Sequence, residues 1–81
     1  MKPIIEEKNV YIQEIKNALK ESTPLREVNP DYVSLNHKIE DIWLDARESG
    51  INEAIFLDIL KEAIPNHIKK VRFYKFFRRA A

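Results

Sequence analysis

The sequence predicts an all-α protein, a compact bundle of three to four short helices, and three observations carry that expectation. Apolar residues recur at helical spacing through most of the chain. Only one glycine is present, and the four prolines fall between the periodic stretches. With 33% charged residues and a hydrophobic fraction of 44%, the composition supplies polar outer faces and enough apolar side chains for one core, while making Gly-rich phosphate loops and tight-turned β architectures improbable.

The first helix is expected over about residues 4–21, where Ile4, Tyr11, Ile12, Ile15, Ala18 and Leu19 share one side at about 100° per residue. Ser22-Thr23-Pro24 ends it, and a polar connection runs to Val28. A second helix is expected over about 30–48, with Asn29 as N-cap, Pro30 in the first helical position and Asp31 in an acidic first turn. Its main stripe is Leu35, Ile39, Ile42, Trp43 and Ala46, and Gly50 stands where a left-handed cap is wanted. Asn52 caps a third helix over about 53–64, whose apolar residues cover well over half of its circumference. Such a helix either forms the centre of the bundle or lends surface to a partner.

A fourth helix is expected over about 67–79, after Pro65 and a capping Asn66. Ile68 and Val71 continue a core-facing stripe while Phe73 and Phe77 point roughly the other way, and a terminal strand or a disordered tail is the competing expectation for this β-prone run.

Eighty-one residues make one small domain, 1–81, without cysteine and so without disulfides or thiolate metal sites. The start of the chain lacks the long apolar stretch of a signal peptide, and no run approaches the ~18 apolar residues of a membrane span, so a soluble cytoplasmic protein is expected and an integral membrane protein is not.

Charge is distributed unevenly. Residues 66–81 hold Lys69, Lys70, Arg72, Lys75, Arg78 and Arg79 with no acid, interleaved with Phe73, Tyr74, Phe76 and Phe77. Residues 1–65 carry eight Lys and Arg against thirteen Asp and Glu, so a net charge of +1 conceals an acidic body with a basic, aromatic end. Cations of this kind displace counterions from phosphates, and aromatic rings stack on unpaired bases. A small non-enzymatic regulatory module is therefore expected to contact nucleic acid through Lys69, Lys70, Arg72, Phe73, Tyr74, Lys75, Phe77, Arg78 and Arg79. The competing reading makes the aromatics part of the core and the cations a solvated rim. The chain ends at Arg78-Arg79-Ala80-Ala81 with no helix-terminating signal, as a module leading into a longer protein would.

The alternative function is protein–protein interaction, as an adaptor, inhibitor or oligomerisation domain. Val33, His37 and Leu44 lie on the side of the second helix away from its main stripe, and Phe56 and Leu57 belong to the wide apolar surface of the third. These five residues are the candidate partner-binding set, with a protein partner or a second copy as the expected occupant. Coverage of both sides of the second helix by the chain's own helices is the plainer alternative.

Other chemistries find less in the sequence. Ala46, Gly50, Ile51, Phe56 and Ile59 have helix-turn-helix spacing, yet Glu53, Asp58 and Glu62 dominate the polar side of the would-be recognition helix, with Lys61 its only base. His37 and Asp41 are spaced for a shared metal, but two ligands do not make a site, and no metal or cofactor is expected. Ser22, Ser34 and Ser49 have no associated His-Asp pattern, and catalysis is not expected.

Overall fold

The computed structural model describes residues 4–73, with side chains from Glu7 onward. Three α-helices, α1 (Ile4–Ser22), α2 (Tyr32–Glu48) and α3 (Glu53–Ala63), pack into a compact all-α globule, followed by a 3-10 turn at Ile68–Lys70. Among the described residues there is no β-strand. None of the described helices is long and apolar enough to cross a membrane.

Of the predicted stripe, helix α1 buries Tyr11, Ile12, Ile15 and Ala18, Leu19 is half-buried beside them, and the Ile4 side chain lies outside the described ones. The Thr23 hydroxyl donates to the Leu19 carbonyl at 2.7 Å, satisfying one of the acceptors that a helix end leaves without an intrahelical partner. It is α1 that packs against both other helices, the central place expected for the third. The apolar girth of α3 is covered by α1 on one side and by the chain after Pro65 on another. Phe56, Ile59, Leu60 and Ile64 are fully buried, and Val71 closes over the same core.

The start of α2 differs from expectation by two residues. Asp31, not Asn29, is the N-cap: its carboxylate accepts from the Val33 and Ser34 amides. Pro30 is buried outside the helix. The physical reason is that Asp31 does two jobs there. Its side chain satisfies the free first-turn donors, while its own amide donates to the Ser22 carbonyl at 2.7 Å, tying the start of α2 to the end of α1. Between these ends, a turn closed by the Glu27 amide on the Pro24 carbonyl carries Arg26 at φ 71°, the left-handed region where a glycine is usual.

The α2–α3 connection follows the sequence closely. Gly50 has φ 94°, its amide bonds the Arg47 carbonyl, and the Ile51 amide reaches back to Ala46. That pair of bonds is a Schellman motif, sealed by Ala46 and Ile51, both buried. Asn52 caps α3 through its side-chain oxygen, which accepts from the Ile55 amide at 2.9 Å.

The continuous fourth helix predicted from residue 67 is interrupted. After the 3-10 turn, Val71 takes an extended conformation (φ −86°, ψ 132°) before helical geometry resumes at Arg72 and Phe73. Burial decides this. An extended Val71 is wholly buried and Phe73 nearly so, which the opposed directions of their side chains in one unbroken helix would prevent.

Candidate functional site

Two regions gather the residues singled out by sequence: the segment after Pro65 and the outer side of α2.

The segment is strapped along one edge of α2. The Tyr32 hydroxyl and His67 Nδ1 share a hydrogen bond of 2.8 Å, and Lys70 Nζ stands 5.5 Å from the centre of the Tyr32 ring. One turn further along α2, the Arg72 amide donates to Asn36 Oδ1 at 2.9 Å. Another turn on, the Arg72 guanidinium meets the Glu40 carboxylate at 3.3 Å. Then comes Trp43, whose ring lies 5.4 Å from that of Phe73 and 5.1 Å from that of Phe56, while the two phenylalanines are 4.9 Å apart. Tyr32, Asn36, Glu40 and Trp43 are spaced four, four and three, so they form one ridge along the helix. The segment reads that ridge residue by residue.

This geometry corrects the expectation for Phe73. Its ring, expected to stack on bases, is 9% exposed and completes an aromatic triad with Trp43 and Phe56. Edge-on contacts of this kind contribute beyond the burial of area, so the ring gains more inside than it would on a surface. Lys69, Lys70 and Arg72 are exposed, with Lys70 over an aromatic face and Arg72 paired with an acid. Tyr74, Lys75, Phe77, Arg78 and Arg79 lie outside the described residues.

The second region is the outer side of α2, which the C-terminal segment touches at Glu40 through Arg72. Val33 is 65% exposed and Leu44 55%, with His37 and Glu40 exposed between them. At about 100° per residue the four fall within an arc of about 60°, and the rise of about 1.5 Å per residue makes the stripe about 16 Å long. Of the other two partner-binding candidates, Leu57 is half-buried, whereas Phe56 is fully buried. Phe56 therefore belongs to the core, because the apolar excess of α3 faces the chain's own α1 and C-terminal segment. Two further aliphatics, Leu25 and Val28, stand 94% and 88% exposed in the α1–α2 connection, where sequence reading saw only a polar linker.

Between α1 and α2 runs a shallow acidic groove bordered by Glu14, Glu21, Lys38 and Asp41. Lys38 pairs with Glu21 at 3.3 Å. Burial, and secondarily the neighbouring Asp45 carboxylate, push the Glu14 carboxyl above the ordinary glutamate range.

The remaining reactive groups are engaged structurally. The Ser22 and Ser34 hydroxyls bond each other at 3.3 Å, and Ser49 Oγ bonds the Tyr11 hydroxyl at 2.9 Å, fastening α1 to the end of α2. No group of three or more metal-ligating side chains occurs among the described residues, with His37 on the outer side of α2 and His67 at its other edge. Sequence reading gave no role to the Tyr32–His67 bond. It joins positions 35 residues apart, and no local pattern signals such a pair.

The sequence matches no protein-family model, no curated protein and no solved structure.

Proposed function

We propose that this chain is a non-enzymatic protein-interaction module that presents the outer face of α2 to a helical partner. The observation that carries the reading is the exposure of Val33 and Leu44, 65% and 55%, on one line of a helix whose opposite side is in the core. An aliphatic pair three turns apart, framed by charged residues, suits an amphipathic helix laid alongside. Leaving it in water costs solubility with no gain to the monomer's own core.

The test is selection of a displayed library of amphipathic helical peptides against the full chain, counter-selected on the Leu44→Glu variant. Binders that require both Val33 and Leu44 support the reading. Recovery of no such binder overturns it.

A second reading, contact with nucleic acid, draws support from the exposed Lys69, Lys70 and Arg72 and from the cations that follow in the sequence. The burial of Phe73 removes one of its stacking rings. Its test is binding of the full chain and of the Lys69→Ala/Lys70→Ala variant to single- and double-stranded oligonucleotides across a salt series. Truncation at Ile68 would remove Val71 and Phe73 from the core, so charge substitution is the informative change. Affinity that falls steeply with salt and weakens in the variant supports this reading. Absence of binding at low salt removes it.

A further inference from the structure

We propose that the helix which docks on the α2 face is α2 of a second copy of this chain, lying antiparallel, with the twofold axis passing between His37 and Glu40. This rests on the interaction-module reading and names its partner.

The exposed stripe is Val33, His37, Glu40 and Leu44, spaced four, three and four, which is the spacing of a two-helix seam. Turned end for end, this stripe maps onto itself. Val33 then meets the partner's Leu44, His37 meets the partner's Glu40, and the twofold repeats both contacts, as a self-complementary interface requires. A parallel pair in register would instead set Glu40 against the partner's Glu40, an unfavourable like-charge contact at the centre of the seam.

The charges flanking the stripe run the same way. The C-terminal half of α2 is predominantly acidic, with Glu40, Asp41, Asp45 and Glu48 exposed against Arg47. The N-terminal half bears His37, and the strap adds Lys70 over Tyr32, while Lys38 is turned toward α1, where it pairs with Glu21. Antiparallel docking lays the acidic half of each copy on the more basic half of the other and opposes the two helix dipoles. In this arrangement the Glu40 carboxylate, which pairs with Arg72 of its own chain at 3.3 Å, also receives the partner's His37. Leu25 and Val28 belong to the preceding loop and are not needed by this contact.

A seam about three turns long lies at the small end of protein interfaces, so a dissociation constant on the order of 100 µM is expected. The test is sedimentation equilibrium of the full chain from about 10 µM to about 1 mM. The wild-type mass should rise from monomer toward dimer over that range. Leu44→Glu and Val33→Lys, both at exposed positions, should each weaken association by about tenfold or more with the helical spectrum unchanged. An equimolar mixture of the two should recover association, because the mixed dimer keeps one Val–Leu contact and replaces the other by a lysine–glutamate pair. That recovery is specific to the antiparallel register.

A wild-type chain that stays monomeric throughout overturns the proposal. So does undiminished association in either variant, or failure of the mixture to recover. The broader reading is judged separately by the peptide selection. A monomeric chain whose α2 face still selects helices retains its role as an interaction module with a different partner, and one that selects none retains neither.

Discussion

Replacing Phe73 by alanine removes a ring that is 9% exposed and lies 4.9 Å from Phe56 and 5.4 Å from Trp43, centre to centre. Truncation of a buried phenylalanine costs about 3–5 kcal/mol, and each aromatic contact accounts for about 0.5–1.5 kcal/mol beyond area. Phe73 is 9% exposed rather than wholly buried, which sets the lower end, about 3 kcal/mol. For a domain of this size, about 4–8 °C of melting temperature accompanies each kcal/mol, which places the variant at least about 12 °C below the wild type. Small domains have only a few kcal/mol in hand, so a sizeable unfolded population at 37 °C is expected. The assay is thermal and urea unfolding followed by far-ultraviolet circular dichroism, together with the emission of Trp43, the single tryptophan, which loses an edge-on neighbour. Lys69→Ala, at an exposed position in the same segment, is the control and should lie within about 0.5 kcal/mol of wild type. A Phe73→Ala melting temperature within about 2 °C of the wild type would refute the reasoning. It would mean that the Phe73 ring contributes nothing to the core and is available for another role.

Three further expectations follow from the backbone and from one carboxyl group. Arg26 holds φ 71° in the α1–α2 turn, so Arg26→Gly should stabilise the fold by about 0.5–1 kcal/mol in chemical denaturation, relief of left-handed strain outweighing the added freedom of the unfolded chain. The converse holds at Gly50, at φ 94° with open space around it: Gly50→Ala should destabilise by about 1 kcal/mol through backbone conformation alone, with no clash. Glu14, whose carboxyl is raised by burial and by Asp45, binds its proton more tightly folded than unfolded. Its contribution to stability is therefore fully present below the unfolded pKa and is lost as pH rises through the higher folded value. Glu14→Gln should remove that loss, so the variant gains on the wild type in urea midpoint as pH is raised through that window. An equal gain at every pH would contradict the assignment.

Much of this fold is legible locally. The stripes of α1 and α2, the Gly50 turn and the Asn52 cap are all set by residues within a few positions of one another, and there the periodicity and capping rules had little competition. The misplaced start of α2 shows the limit. Asn29-Pro30 is a good local start, but Asp31 wins because its amide also finds the Ser22 carbonyl, a contact that depends on how α1 and α2 come together. The segment after Pro65 fails for the same kind of reason. Read locally, Lys-Lys-Val-Arg-Phe is a basic aromatic run; in the fold, Phe73 completes a triad with partners 17 and 30 residues earlier, and Arg72 finds Asn36 and Glu40. Composition registers the chemistry of such residues but not which of them the core will claim. The outer face of α2 was legible only in part: helical phase sets Val33, His37 and Leu44 opposite the buried stripe, but coverage of both sides of α2 by the chain's own helices was the plainer expectation, and the exposure of Val33 and Leu44 runs against it. The burial of Phe56 was not legible, since a helix apolar on several sides does not announce which sides its own chain will cover.

The most direct test of the central claim is the amide spectrum of the uniformly 15N-labelled 81-residue chain, recorded at increasing protein concentration and then with a single-stranded oligonucleotide. If the outer face of α2 is the working surface and docks on a second copy, the Val33, His37, Glu40 and Leu44 amides shift with concentration while those of Ile59 and Leu60 in the core stay fixed. If those four stay fixed and shifts instead follow the oligonucleotide at Lys69 and Lys70, the claim is contradicted and the basic segment is the working surface.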